Sequence, residues 1–304
     1  MTCLRIGDNL LNMRCPHCTA CDTGQNRAAE QSSDHKKCGT YKRKSDSRTI
    51  QRFYCYRCQK TYSHALKDPA YNHNKRRINI QVKRLLASNI SMRRTALLLG
   101  VSRTTIARKL IYLGKLCAAE NDLYIQQFQA SIKNIQFDEL QTIEHTKCKP
   151  LSVAVAVVPF TRKILDIQVS MMPATGHLAR IARKKYKYRP DLRIEGLQAS
   201  FTKIAPLLAQ NACIYSDKHP FYGPIIKQQC PHARHIQTKG EKATVAGQGE
   251  LKKGYKDPLF YINQTLAMLR ANINRLIRRT WCTTKCIDRL RDHLAIYMSV
   301  HNSV

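Results

Sequence analysis

Two closely spaced cysteine pairs in the first 66 residues constrain the fold of this chain more than any other feature. Cys15 and Cys18 form one C-x2-C pair, and Cys55 and Cys58 form the other. Two such turns can place four thiolates around one tetrahedral zinc ion, as in zinc-ribbon folds. The segment has few apolar runs, so metal binding is expected to supply much of its folding free energy. We therefore predict a zinc-ribbon domain over residues 1–66 that holds structural Zn²⁺.

Cysteine usage also indicates the compartment. The chain has 13 cysteines, an odd number that does not suit a secreted disulfide framework, and the close pairs favour metal binding in a reducing environment. Within the first segment, Cys21, Cys38 and His17 are alternative zinc ligands. No stretch is long and apolar enough for a membrane span, and the first residues do not resemble a signal peptide. We expect a cytoplasmic, nucleoid-associated protein with no membrane partner.

The charge of the chain points to a polyanionic partner. Its 304 residues include 52 Lys and Arg against 20 Asp and Glu, which gives a formal net charge of +32. Such a chain repels itself unless a polyanion neutralises it, and nucleic acid is the commonest such partner. A hydrophobic content of 43% excludes a wholly disordered basic tail. The composition therefore predicts a folded protein that binds nucleic acid.

A helix-turn-helix pattern follows, in a segment that we assign to a DNA-binding domain over residues 67–125. Ser91 and Ser102 stand where they can cap two consecutive helices, and Gly100 can end the first of them. An upstream helix near residues 78–88 would complete a three-helix unit. The residues predicted to face double-stranded DNA from the second helix are Arg103, Thr104, Thr105 and Arg108. The alternative is a helical hairpin that serves only the core.

Residues 126–304 change to strands alternating with helices, and two acids lie where strands can present functional side chains. Asp138 lies within the strand-like segment 132–140, and Asp217 ends the apolar run 213–217. Acids at strand ends are common metal ligands in α/β sheets. Paired carboxylates can hold Mg²⁺ or Mn²⁺ for phosphoryl transfer. The alternative is that each acid is a surface charge paired with a nearby Lys or Arg.

The order of these segments resembles that of bacterial insertion-sequence transposases with a DDE-type, RNase H-like core. The segment 269–285 looks like the Arg-rich helix of the smallest such elements, and residues 297–302 are similar to the tail of that region. The resemblance implies an α/β fold, an RNase H-like mixed sheet with flanking helices that forms the catalytic domain after the zinc ribbon and helix-turn-helix. It also implies Mg-dependent cleavage and transfer of DNA strands, with Asp138 and Asp217 as catalytic acids. Element ends, target DNA and further copies of the chain are the implied partners.

The third catalytic position departs from the pattern of that family. The resemblance implies a glutamate seven residues before Arg270, where this chain has Asn263. Glu250, which lies close to glycines, is the alternative third ligand. The departure keeps a second hypothesis open, namely a non-catalytic DNA-binding regulator or an inactive transposase remnant.

Two further basic stretches are predicted to contact DNA phosphates. An apolar stripe from Ile262 to Leu276 predicts one continuous helix that packs on the sheet. The arginines on the sides of that helix and beyond it are Arg270, Arg275, Arg278 and Arg279. The second stretch, residues 180–189, combines cations such as Lys185 with two tyrosines, a composition that suits nucleic-acid binding.

Overall fold

The computed structural model describes residues 15–17, 35–44, 47–71, 73–238, 257–277 and 281–303. The chain divides into two compact units, Met1–Asn79 and Ile80–Val304. Among the helices in the described ranges, none is both long enough and apolar enough to cross a membrane.

The first unit contains a three-stranded antiparallel sheet. Its strands, in spatial order, are β1 (His35–Lys42), β2 (Thr49–Cys55) and β3 (Thr61–Ser63). The buried core beside this sheet consists of Cys15, Phe53, Cys55 and Tyr62. A core of this size buries little apolar surface, so the unit needs a further source of stability. Two short 3-10 helices follow the sheet, at His64–Lys67 and Arg76–Ile78.

The second unit begins with three helices. They are α1 (Asn79–Leu86), α2 (Met92–Leu98) and α3 (Arg103–Gln126). The Ser91 hydroxyl accepts a hydrogen bond from the Arg94 backbone N–H at 3.3 Å, and the Ser102 hydroxyl accepts one from the Thr105 N–H at 3.2 Å. These bonds cap α2 and α3 at the predicted residues. Gly100 has a φ of +59°, which lets the chain turn between the two helices.

A five-stranded mixed sheet forms the centre of the second unit. Its strands are β4 (Ile132–Ile143), β5 (Pro150–Val157), β6 (Ile164–Met171), β7 (Leu208–Asp217) and β8 (Arg234–Thr238). The spatial order is β6-β5-β4-β7-β8. Strand β5 is antiparallel to both β4 and β6, whereas β4, β7 and β8 run parallel. This mixed α/β architecture with flanking helices is compatible with the RNase H-like core predicted from the sequence.

Further helices surround this sheet, on both of its faces and at one edge. They are α4 (Leu178–Tyr186), α5 (Arg193–Ile204), α6 (Tyr222–Gln229), α7 (Phe260–Asn272) and α8 (Ile287–Asn302). On one face, the Phe137 ring packs against Phe201 of α5 and Tyr222 of α6, with ring centroids 5.1 and 5.0 Å apart. On the other, the Gln136 side chain accepts from the Ile262 N–H at 2.9 Å. Successive residues of β4 therefore point to opposite layers.

Helix α8 covers the free edge of β6. The Arg291 guanidinium donates to the Val169 carbonyl at 3.0 Å, near the end of the strand. At its start, the Asn302 amide both accepts from the Ile164 N–H and donates to the Ile164 carbonyl, each at 2.8 Å. Satisfying these edge groups removes a template on which another strand would pair.

The prediction of one continuous helix through Leu276 is wrong. Helix α7 ends at Asn272, Ile273 is extended, and a 3-10 turn spans Asn274–Leu276. Asparagine and isoleucine both have modest helix propensity, so the apolar spacing alone does not hold the helix there. The turn directs the Arg275 guanidinium to the Thr284 hydroxyl at 3.2 Å, so Arg275 is a largely buried structural group rather than a surface cation.

His293 gives the second unit a pH-dependent stability. Its Nε2 lies 2.7 Å from the Leu86 carbonyl oxygen, and burial lowers its pKa to about 4. A histidine in the unfolded chain has a pKa of about 6.5 and is protonated first as the pH falls. The free energy of unfolding is therefore expected to decrease by up to about 3 kcal/mol between roughly pH 6.5 and pH 4. Urea unfolding at several pH values across this range measures the free energy of unfolding. His293→Gln should reduce its dependence on pH. An unchanged pH dependence would show that His293 is not the group responsible.

Candidate active site

Asp138 and Asp217 lie on neighbouring parallel strands of the sheet. The parallel pairing of β4 and β7 ends with Gln136 opposite Tyr215, and Asp138 and Asp217 each follow two residues later; the charge of Asp217 reaches Asp138 and raises its pKa. Neighbouring strands are about 4.8 Å apart, and matched residues of a parallel pair point to the same face. Because Gln136 faces α7, Asp138 and Asp217 also lie on that face. The strand pairing thus brings together two acids that are far apart in the sequence.

The electrostatics of this pair favour a cation between the acids. Burial raises the pKa of Asp138 to about 7, the Glu139 backbone N–H donates to its Oδ1 at 2.7 Å and lowers the pKa, and the negative charge of Asp217 raises it. Burial also raises the pKa of Asp217, and the interaction with His219 lowers it to a smaller extent. The charge of Arg270 on α7 favours ionised Asp138. Two half-buried carboxylates in this position are costly when both are ionised.

One oxygen of the pair is buried and has no hydrogen-bond partner. This atom is Oδ1 of Asp217, for which the described part of the chain offers neither donor nor ion pair at bonding distance. A buried acceptor without a donor is unfavourable, and native proteins rarely retain one without a reason. Carboxylate oxygens are the ligands that Mg²⁺ and Mn²⁺ prefer. The two side chains present therefore fit a divalent metal ion.

Asn263 lies in the first turns of α7, on the sheet face that carries Asp138. The Gln136 side chain donates to the Pro258 carbonyl at 2.7 Å and so holds the start of this helix against β4. The Asn263 amide nitrogen donates to Oδ2 of Asp257 at 2.8 Å. The alternative, Glu250, lies outside the described residues. The identity of the third ligand stays a prediction.

Residues on the opposite face of β4 were not predicted as part of the site. Glu139 faces α5 and α6; burial raises its pKa, whereas the charge of Arg193 and hydrogen bonding with Tyr222 lower it. Arg193 is itself fixed by Asp191, with Nη2 2.7 Å from a carboxylate oxygen. The sequence signal for Glu139 was its position next to Asp138. No sequence signal links Arg193 or Tyr222 to that acid, because both come from later helices.

The predicted zinc ligands form a cluster as far as the structure describes them. The sulfur atoms of Cys15, Cys55 and Cys58 all lie within 4.8 Å of one another, and those of Cys15 and Cys58 are 3.5 Å apart. Burial raises the pKa of the Cys15 thiol to about 12. Cys18 lies outside the described residues, and Cys38 on β1 does not belong to the cluster. Three convergent sulfur atoms can hold a metal ion, and structural zinc sites commonly have three or four cysteine ligands.

The predicted DNA-facing residues lie at the start of α3. Arg103, Thr104 and Arg108 are exposed, whereas Thr105 is half-buried and its hydroxyl lies 2.9 Å from that of Ser102. The opposite side of the helix is buried. Three of the four side chains can therefore reach a ligand in solution, and their contact with DNA stays a prediction.

The basic stretch 180–189 lies on α4 and the turn that follows it. Lys185 is exposed, and its Nζ lies 5.5 Å from the centre of the Tyr186 ring. Arg189 is engaged within the protein, since its guanidinium lies 3.1 Å from Glu144. The prediction for Arg278 and Arg279 falls outside the described residues.

Distant structural likenesses to this chain include chains of two protein–nucleic acid assemblies. No protein-family model matches the chain, and no curated protein matches its sequence. A chain of the simian T-cell lymphotropic virus intasome in complex with PP2A regulatory subunit B56 gamma is 15% identical over 71% of this chain and 72% of that chain, with a TM-score of 0.25. A chain of a pre-cleavage Mos1 transpososome is 9% identical over 73% of this chain and 74% of that chain, with a TM-score of 0.20. Both scores are too low to define a shared fold.

Proposed function

We propose that this protein is a DDE-type transposase that cleaves DNA strands and transfers them with the help of a divalent metal ion. The observation that carries the proposal is the position of Asp138 and Asp217 on adjacent parallel strands, near enough for the charge of Asp217 to raise the pKa of Asp138. In a chain with a net charge of +32, two half-buried acids, of which Asp217 raises the pKa of Asp138, suggest a functional role. A protein that only binds DNA has no use for them.

Asp138 and Asp217 would hold Mg²⁺ or Mn²⁺, with Asn263 as the proposed third ligand. When bound, such ions activate the attacking oxygen and stabilise the leaving oxygen of a phosphodiester. The unpartnered Oδ1 of Asp217 and the raised pKa of Asp138 support this choice. Because the amide nitrogen of Asn263 donates to Asp257, its amide oxygen remains as the ligand atom. An uncharged amide oxygen binds a cation more weakly than a carboxylate does.

The residues around the acids keep them in place. Gln136 joins β4 to the start of α7 through two hydrogen bonds, so the strand of Asp138 and the helix of Asn263 keep a fixed spacing. On the other face, Glu139 interacts with Tyr222 of α6 and with the charge of Arg193. Phosphoryl transfer depends on ligands that are positioned before the substrate binds. These contacts therefore support a catalytic rather than a merely structural arrangement.

The first unit and α3 are proposed to recognise the element ends. In this proposal Cys15, Cys18, Cys55 and Cys58 bind one structural Zn²⁺. Base edges of double-stranded DNA are contacted from the exposed side of α3. The protein acts as a homo-oligomer on DNA, because two element ends have to be held together for transfer.

Variants of the exposed cations should separate specific from general DNA binding. Arg103→Ala and Arg108→Ala are expected to weaken binding to element ends by about 10- to 100-fold each, with a smaller loss on random duplexes. Lys185→Ala should weaken binding to all duplexes alike. The slope of log affinity against log salt concentration should fall by about 1, because one phosphate contact is lost. Fluorescence anisotropy over a range of KCl concentrations measures both. Equal losses for all three variants on specific and random DNA would show that α3 is not the recognition helix.

The proposed reaction is tested with the DNA that flanks the coding sequence. Inverted repeats bounded by short direct duplications would identify the element ends. Duplexes that span these boundaries, labelled on each strand, are incubated with the full chain and Mg²⁺. We expect metal-dependent nicks at the element boundary. A protein that binds these duplexes tightly but never nicks them would instead be a regulator or an inactive remnant.

A further inference from the structure

A cavity of about 440 Å³ lies beside α4 in the second unit. Its lining includes the apolar side chains of Met171, Pro173 and Ala182. The cationic residues that line it are Lys149, Arg183, Lys187 and Arg189. Among its lining residues, all of which the structure describes, none is acidic. The cavity thus suits a ligand that is partly apolar and carries negative charge.

Tyr188 is an exposed aromatic residue in the wall of this cavity. Tyr188 is 78% exposed, and the two cation contacts of this stretch, within the described residues, are both with the ring of Tyr186. The preceding residue, Lys187, has φ +64° and ψ −160°, a conformation that residues other than glycine rarely adopt. This turn separates Tyr188 from the regular end of α4. Residues held in such a conformation cluster at ligand contacts and active sites, and the exposed ring at this turn is accessible to a ligand.

The surroundings of Tyr188 are held in place. Arg189 donates to the Met172 carbonyl at 3.2 Å and to Glu144 at 3.1 Å, which ties the turn to the end of the sheet. The Nζ of Lys149 lies 4.7 Å from the centre of the Tyr186 ring, so this ring is already paired with a cation. Tyr188 is therefore the ring that remains for an incoming ligand.

We propose that this cavity binds an unpaired base of single-stranded DNA, with the base stacked on Tyr188 and a neighbouring phosphate held by the cationic rim. Aromatic side chains next to cations are the usual platform for single strands, because every base offers a flat face and every nucleotide a charge. A base inside a duplex is stacked and paired and cannot enter a cavity. The volume is within the range of pockets for small ligands. The inference rests on the DNA-binding part of the proposed function.

The test compares two DNA probes in buffer without Mg²⁺ or Mn²⁺ and without a chelator, so that no cleavage occurs and the structural zinc stays bound. One is a blunt duplex, and the other is the same duplex with a single-stranded overhang of five thymidines. The full-length protein is expected to bind the overhang probe about tenfold more tightly, which is the order of effect that stacking one base produces. Tyr188→Ala should remove this preference and leave affinity for the blunt duplex within about twofold. Tyr188→Trp should retain it.

Phe160→Ala is the matched control. Phe160 is 80% exposed, lies in the connection between β5 and β6, and does not line this cavity. It should keep the overhang preference. Equal affinity of the wild-type protein for the two probes would overturn the inference, and so would an unchanged preference in Tyr188→Ala. If Tyr188→Ala lost the same affinity for both probes, the tyrosine would contact duplex DNA, and the inference would also be overturned. The binding test needs no catalytic metal ion, so a protein that prefers the overhang here but cleaves no DNA in the separate Mg²⁺ assay would support this site while contradicting the proposed catalysis.

Discussion

Asp217→Asn is expected to abolish DNA strand cleavage, by about 10³-fold or more, while leaving DNA binding intact or stronger. The substitution removes one of two carboxylates that converge on the face of the sheet next to α7. It also removes a negative charge from a site that has to accept a phosphodiester, which is why affinity should not fall. Asp138→Asn should have the same effect, because the two acids act as one ligand set. Nicking of a labelled element-end duplex, together with anisotropy on the same duplex, separates the two effects.

Asp122→Asn is the matched control for these variants. Asp122 is an exposed acid on α3 that pairs with Lys203 at 3.3 Å and takes no part in the site. It should cleave like the wild type. An Asp217→Asn protein that still nicks element ends would show that another group of residues carries the reaction.

Loss of the zinc ligands should have the second-largest effect. Cys55→Ser together with Cys58→Ser is expected to abolish zinc binding and to unfold the first unit. Its described core is built around Cys15 and Cys55 and has little other apolar surface. Structural zinc contributes on the order of 10 kcal/mol to the folding of small domains, more than such a core can replace. Metal analysis of the purified full chain measures the first effect, and hydrogen exchange in β1 to β3 measures the second.

Cys286→Ser is the control for this double substitution, since Cys286 is exposed and lies outside the sulfur cluster. It should retain one zinc ion per chain. If the Cys55→Ser, Cys58→Ser protein kept the same zinc content, those cysteines would not be ligands.

The strands that carry the acids could be predicted from the sequence, because the apolar pattern of each strand is local. The apolar segments around Asp138 and before Asp217 predict strands, and both are strands in the structure. That the two strands are neighbours could not be read from either segment, because it depends on the pairing of β4 with β7 across the intervening chain. Only the resemblance to a transposase core supplied that expectation. The roles of the two acids stay predictions.

Sequence reasoning failed where tertiary contacts override a local pattern. The apolar spacing past Asn272 continues, yet the helix ends there and Arg275 turns inward to Thr284. The partners of Glu139 could not be predicted from its position next to Asp138, because they come from α5 and α6. The basic stretch 180–189 was visible as charge, but its cavity forms only when α4 packs beside the end of β6. These features depend on contacts that no window of sequence contains.

A manganese-soaked crystal of the full chain tests the central claim most directly. Mn²⁺ takes the same oxygen ligands as Mg²⁺ and scatters anomalously, so its position can be read without an assay. We expect an anomalous peak in contact with carboxylate oxygens of both Asp138 and Asp217, and no such peak in crystals of the Asp138→Asn, Asp217→Asn double variant. A wild-type crystal at saturating Mn²⁺ without a peak between these two side chains would contradict it.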